Sequence, residues 1–254
     1  MKINILASGS GGNCIALRNN ETVVLIDAGI AKTKIEKRLL EVGIRPDTIA
    51  AIFITHAHKD HTKGLPLANK YKIPVFASKG EWKEIKSVDE DLANILKMES
   101  VVLSYEICGD FARYIEIIPF AVHHDAFEPY GYVVQTKDMK VSICLDTGHI
   151  DSNMLEAMKD SNVYIIEANH DPKMVEASNY PNSVKARILS DVGHLSNKQT
   201  AAALQKLVRG KGEKIYLTHL SSKNNMPSLA ETTVVHALYK KGLKPGVDYE
   251  IEVV

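Results

Sequence analysis

The run His56-Ala57-His58-Lys59-Asp60-His61 places four side chains of metal-ligating type within six positions, directly after the apolar stretch Ala50 to Ile54. Residues two apart on an extended segment face the same side, so the imidazoles of His56 and His58 can converge on one ion. Asp60 and His61 then fall at the start of a following helix, displaced by one turn, where they could take a second ion. Imidazole suits Zn, Mn or Fe, and a carboxylate adds charge to balance two cations. One cluster cannot complete two sites, so further ligands are expected where other strands end. Three residues answer that description: His124 after Ile115 to Val122, Asp146 after Val141 to Leu145, and His219 after Ile215 to Thr218. Asp146 is the natural bridge, because a carboxylate has two oxygens to share, and a hydroxide held between two such cations is a nucleophile at neutral pH. Position 123 is also histidine. Strand alternation sends His123 and His124 to opposite sides, so one of them ligates and the other does not. His236 lies inside a helical pattern and is set aside.

The elements that must carry these residues can be read from periodicity. Ile3 to Ala7, Cys14 to Leu17 and Val23 to Ile26 are short apolar runs separated by Gly, Asn and Ser, the pattern of antiparallel strands. Ala31 to Val42 has amphipathic helical spacing, ended by Gly43. Ala50 to Ile54 reads as a buried strand delivering the histidines to its C-terminal edge. A helix is expected after them, then a strand over Pro74 to Ala77. Val88 to Met98 reads as helical. Strands are predicted over Tyr114 to Val122, Gly131 to Thr136, Lys140 to Leu145, Val163 to Ile166, Ile215 to Thr218 and Tyr249 to Val253. Helices are predicted over Met154 to Met158, Lys198 to Val208 and Leu229 to Lys240. No repeat and no linker-like tract divides the chain, and the order of elements suggests sheets covered by helices in a layered α/β architecture.

Composition narrows the class without choosing a substrate. A chain of 254 residues with 45% hydrophobic content can bury a sizeable core. Lys plus Arg and Asp plus Glu number 31 each, so no global field advertises a nucleic-acid or membrane partner. Cys14, Cys108 and Cys144 are odd in number and scattered, which favours free thiols in a reducing compartment. The opening apolar run breaks at Ser8-Gly9, too early for a signal peptide, and no stretch approaches a membrane span. The expectation is a cytosolic protein with no membrane partner.

With these residues in place, the chain resembles the metallo-β-lactamase-fold hydrolases, whose pattern HxHxDH is met by His56, His58, Asp60 and His61, with further motifs falling in order on Asp27, His124, Asp146 and His219. The resemblance covers the chain from end to end. It implies a four-layer αββα sandwich forming a single domain over residues 1–254. One metal would be held by His56, His58 and His124, a second by Asp60, His61 and His219, with Asp146 bridging, and the family pattern favours His124 over His123. Asp27 would orient ligands rather than bind metal; taken alone, it reads equally well as a turn carboxylate before Gly29.

Longer stretches are similar to the WalJ/YycJ type of bacterial and phage proteins: Leu6 to Asn13, His124-Asp125-Ala126, Leu145 to Gly148, Glu167 to Asp171, Ile188 to Asn197 and Leu217 to Ser222. That similarity implies a DNA-processing nuclease with a 5′ to 3′ exonuclease role in repair. Glu167-Ala168, Gly193-His194-Leu195-Ser196 and Thr218-His219 also resemble the later motifs of tRNA 3′-processing endonucleases, which implies that His194 and Glu167 assist proton transfer to the leaving group. Asp60, His194 and Glu167 thereby form the candidate catalytic set. A titrating imidazole on a loop suits that role, the alternative being that His194 caps the helix that follows. Candidate DNA contacts are Tyr180, Lys185 and Arg187 upstream of His194, Ser10 and Asn13 in the glycine-rich loop, and Ser221 and Asn225 after His219.

The reading is therefore a dinuclear-metal phosphodiesterase acting on DNA. The alternative is a hydrolase of a small phosphodiester, thioester or lactone that uses the same two ions. A metal-free binding protein is disfavoured because every expected ligand is present, and a secreted β-lactamase by the lack of an export signal and by Asp60-His61.

Overall fold

The computed structural model describes residues 1–105 and 113–254, and Cys108 lies outside them. The chain forms two compact units, Met1–Pro119 with Ala126–Met139 and Phe120–Asp125 with Lys140–Val254.

In the first unit, β1 (Lys2–Ala7), β2 (Cys14–Asn19) and β3 (Thr22–Ile26) pair antiparallel, with Ile3 opposite Leu17 and Leu17 opposite Val24. The helix α1 (Lys32–Glu41) buries Ile35 and Leu39 and leads to β4 (Ile49–Phe53), which pairs parallel with β3. Two short helices, α2 (Lys59–Thr62) and α3 (Pro66–Tyr71), follow the histidine run, and β5 (Val75–Ser78) returns to the sheet. The segment expected to be helical, Val88 to Met98, is instead a 3₁₀ turn at Glu90–Leu92 followed by β6 (Ala93–Leu96). Pairing from Val75↔Ala93 to Ser78↔Leu96 takes up the backbone of β6, so the tertiary partner overrides a weak local periodicity. The sheet runs β1-β2-β3-β4-β5-β6. Next come β7 (Val101–Tyr105), which the sequence reading missed, and β8 (Arg113–Ala121), antiparallel to it, with β9 (Tyr130–Gln135) alongside β8.

Leu25, Ile52, Ile54, Val75 and Ala77 from the sheet pack with Ile35, Leu39, Leu65 and Leu67 in one core cluster. Each large side chain so buried contributes about 1.5–3 kcal/mol, which anchors the strand ends above it. The chain beyond β4 is held from three sides: Asp27 N donates to Phe53 O (2.9 Å), Tyr132 Oη to Ile54 O (2.5 Å) and Tyr130 N to Thr55 O (2.9 Å).

In the second unit every strand is parallel. β10 (Lys140–Cys144), α4 (Ser152–Met158), β11 (Val163–Glu167), α5 (Pro172–Ala177), α6 (Asn182–Leu189), α7 (Asn197–Leu207), β12 (Glu213–Thr218), α8 (Pro227–Lys240) and β13 (Tyr249–Val253) follow in turn. The strands lie in the order β13-β12-β11-β10. β11 is buried along its whole length, as parallel strands covered on both faces must be. Asp151 caps α4, Asp171 caps α5, and Ser196 with Gln199 forms a reciprocal capping box on α7, each cap worth about 1 kcal/mol. The sequence predicts no helix over α5, whereas Asn179 to Arg187, which reads as a solvated helix face if not as a DNA contact, falls largely in α6. α6 buries none of its residues.

Two predictions follow from this packing. A Cβ on Gly29 would lie 1.6 Å from Asp60 O, the carbonyl that accepts from Asn13 N at 2.8 Å, so Gly29→Ala should cost at least about 3 kcal/mol in chemical denaturation. The second concerns His170, which is buried with neither ring nitrogen hydrogen-bonded among the described residues. Burial pushes its pKa down from 6.5 to about 4, against the attraction of Glu167. The unfolded chain therefore binds the extra proton first, and stability should fall by up to about 3 kcal/mol as the pH drops from 6.5 to about 4. His170→Leu should flatten that part of the stability–pH curve, and an unchanged slope would show that His170 does not cause it.

Candidate metal centre

In the first unit the metal-type residues sit where β4 gives way to α2. The rings of His56 and His58 meet on one side of the chain, Nε2 to Nδ1 at 2.9 Å, and the His61 ring centroid lies 4.0 Å from that of His56. His61 is buried and Asp60 is partly exposed at the first turn of α2. Asp27 fixes this geometry from below. Fully buried, it accepts Thr55 N (2.8 Å) and Thr55 Oγ1 (2.9 Å) and stands 2.7 Å from His61 Nδ1. A ring whose Nδ1–H is held by a carboxylate presents Nε2 as its ligand atom. That Nε2 lies 3.1 Å from Asn13 Nδ2 and 3.7 Å from Asp60 Oδ2. Thr55 Oγ1 also stands 3.1 Å from His56 Nδ1.

A residue the sequence reading missed, Glu81, is buried and accepts Ala57 N at 2.6 Å and Glu128 N at 2.7 Å, clamping the backbone between the two histidines. Its neighbours Lys79, Gly80, Trp82 and Lys83 give it the look of a surface position.

In the second unit Asp146, Glu167, His194 and His219 offer ligand atoms all within 4.8 Å of one another. Asp146 follows β10, Glu167 ends β11 and His219 follows β12, the strand-end placement expected from sequence. Glu167 is fully buried and spends both oxygens. Oε1 stands 2.7 Å from His194 Nδ1 and 2.8 Å from His219 Nδ1, while Oε2 accepts Leu195 N and Thr147 N, each at 3.2 Å. His219 Nδ1 also lies 2.6 Å from Asp146 Oδ1, so Nε2 is the nitrogen it could offer a metal. His124 is buried and its Nδ1 donates to Gly193 O at 3.0 Å, while its Nε2 stands 3.2 Å from Asp125 Oδ1. Burial pushes the His124 pKa down, favouring the neutral ring a metal needs. For His194 burial acts in the same sense, but the charge of Glu167 and hydrogen bonds with Asp146 and Glu167 outweigh it and push its pKa up to about 10. The helix behind His194 is capped by Ser196, so the imidazole is not needed as a cap.

Backbone strain concentrates here. Among the described residues, six non-glycine residues have positive φ, and three of them are Asp27 (61°), Asp146 (47°) and His219 (55°). Such conformations cost of order 1 kcal/mol each and persist where the surroundings enforce them.

A donor set of imidazoles with one nitrogen already fixed by a hydrogen bond, joined by carboxylates, is the chemistry a divalent transition metal requires. Asp146, Glu167, His194 and His219, whose ligand atoms lie within 4.8 Å of one another, fit such an ion.

The remaining candidates are placed as follows. Ser10 is exposed, whereas Asn13 is buried and accepts Gly9 N at 3.1 Å. Tyr180 lies under Lys223 Nζ at 5.4 Å, Lys185 donates to Glu176 O, and Arg187 makes a two-point pair with Asp125 at 2.5 and 3.1 Å. Ser221 Oγ accepts Asn224 N, and buried Asn225 is engaged by Ala168 O, Asn197 and Met226 N. His123 points away from the second-unit cluster, toward Asp151.

Residues 22–220 match the beta-lactamase superfamily domain. The chain is 35% identical over 252 residues to exodeoxyribonuclease YycJ of Bacillus anthracis, covering 99% of this chain and 94% of that protein. It is 36% identical over 257 residues to exodeoxyribonuclease WalJ of Streptococcus pneumoniae serotype 2, covering 98% and 93%. In fold it is similar to the metallo-beta-lactamase fold protein YhfI of Bacillus subtilis, with a TM-score of 0.70 at 11% identity over 99% of this chain and 95% of that one.

Asp27→Asn would set an amide N–H against one of the three donors that Asp27 accepts. It should lower metal affinity about 10- to 100-fold in a competition titration and, by linkage, lower the melting temperature of the metal-loaded protein.

Proposed function

The chain belongs to the beta-lactamase superfamily-domain family, within its YycJ/WalJ-type group, and from that premise we propose that it is a metal-dependent nuclease acting on DNA. The observation that carries the reading is the cluster of buried Asp146, Glu167 and His219 with half-buried His194, in a chain whose relatives along almost its full length are named exodeoxyribonucleases. In this mixed α/β fold of two sheets and helices, Asp146, Glu167 and His219 stand at strand ends and His194 on the loop before α7.

His56, His58, Asp60 and His61 in the first unit, and His124, Asp146 and His219 in the second, are the residues that would hold divalent cations. We take the number as two, and Zn, Mn and Fe all suit the donors. Bound cations would neutralise phosphate charge and make water a competent nucleophile. Glu167 holds His194 at Nδ1, so the proton His194 can give to a leaving oxygen is the one on Nε2. Asp27 keeps His61 in one tautomer throughout. The direction of degradation is taken as 5′ to 3′, in DNA repair in the cytoplasm; buried Cys14 and Cys144, unpaired with each other, suit a reducing compartment. No helix among the described residues is long and apolar enough to cross a membrane.

End-labelled single-stranded and duplex DNA, RNA and a generic phosphodiester, each incubated with the protein and Mn or Zn, test the reading. DNA should shorten from its 5′ end. His194→Ala should lower kcat by about 10²- to 10⁴-fold with KM little changed, and Asp60→Ala should abolish cleavage. Cleavage of the small phosphodiester alone, unaffected by Asp60→Ala, would sink both the nuclease assignment and the use of two cations.

A further inference from the structure

His123 stands next to a metal-ligating histidine in sequence, yet takes no part in the cluster. Its ring stacks on that of His149, with centroids 3.9 Å apart and planes 14° from parallel. Each ring is held by one nitrogen. His123 Nε2 lies 2.8 Å from Asp151 Oδ2, and that carboxylate is itself fixed because its other oxygen caps α4 through Met154 N. His149 Nδ1 donates to Asp191 O at 3.0 Å. The backbone beneath is equally tied: Gly148 N donates to His123 O (2.8 Å), His123 N to Thr147 Oγ1 (3.1 Å), and Thr147 Oγ1 to His149 O (2.8 Å). A Cβ on Gly148 would come within 2.2 Å of Asp191 C, so only glycine lets these segments lie so close.

The result is a rigid pair of parallel imidazoles outside the core, with the His123 side chain 35% exposed and His149 also only partly buried. Two histidines stacked at the surface add little to a hydrophobic core. What they offer is a preorganised aromatic face, one residue from His124 and three from Asp146.

We propose that His123 and His149 form a stacking platform for a nucleobase of the DNA strand, beside the phosphate that the metal ligands address. The inference rests on the nuclease reading and adds how the strand is seated. Every base has a π-face, so stacking accepts any sequence, as an enzyme that removes successive nucleotides requires. One nitrogen of each ring is bonded to the protein, which fixes the platform, and stacking on it reads no base edge.

Steady-state cleavage of single-stranded oligonucleotides by the metal-loaded protein tests the platform. His149→Ala should raise KM about tenfold, with kcat nearly unchanged. His149→Phe, which keeps a flat ring, should restore KM. His149→Asn, which keeps a donor but no ring, should not. Oligonucleotides carrying one abasic nucleotide, moved through the terminal positions in turn, supply an arm that needs only the wild-type protein. At the stacked position the wild type should lose the same factor, and His149→Ala should lose nothing further. Equal KM for intact and abasic strands at every position, or an Asn variant equal to wild type, overturns the platform while leaving the nuclease reading standing. Failure of the wild type to cleave any DNA overturns both.

Discussion

A carboxylate withdrawn from water has to be met by N–H and O–H donors, and in each unit one buried carboxylate organises the metal-type residues by collecting them. Asp27 takes the backbone and hydroxyl of Thr55 and the ring of His61. Glu167 takes two imidazoles and two backbone amides. Neither has an oxygen to spare, so each sets which nitrogen of its histidine faces outward. The cost of burying the charge is met by bonds that also define the ring geometry.

Strand ends make this arrangement possible. Within two residues of their ends β3, β4, β10, β11 and β12 reach Asp27, Thr55, Asp146, Glu167 and His219, and the chain there must turn sharply to leave its sheet. The turns at Asp27, Asp146 and His219 put a non-glycine residue at positive φ. Aspartate tolerates that conformation better than most residues, but histidine does so at some strain. The packed core and the hydrogen bonds of the adjoining strands hold the strain in place, which keeps the ligand atoms from relaxing away.

Much of this was legible in the sequence, and the parts that were not share a cause. The histidine run, the strand-end aspartate and the late histidine are local signals of residue type and spacing, and most strands carry continuous apolar runs. β13 spans Tyr249–Val253, the same residues the sequence predicts. Val88 to Met98 went wrong because a strand with a distant partner has no local signature when its own periodicity is weak. Glu81 was invisible for a similar reason. Its value lies in accepting Ala57 N and Glu128 N from far along the chain, and sequence gives no sign that a charged residue among lysines is buried. α5 was missed because it is short, and α6, whose sequence suits a solvated helix face, buries nothing, so no apolar stripe marks it.

That last feature has an effect on how the enzyme fails. The carbonyls at the end of α6 seat the loop before α7: a Cβ on Gly193 would lie 2.2 Å from Arg187 O, and His194 N donates to Ile188 O at 3.2 Å. His194 and the carbonyl that orients His124 thus lie between a helix with no buried residue and Glu167, which holds His194 Nδ1 and Leu195 N from a strand buried throughout. Helices of that kind open at low free energy, well before the sheet beneath them. Local opening there would part the His194 imidazole from the Glu167 carboxylate while the sheet beneath is still folded.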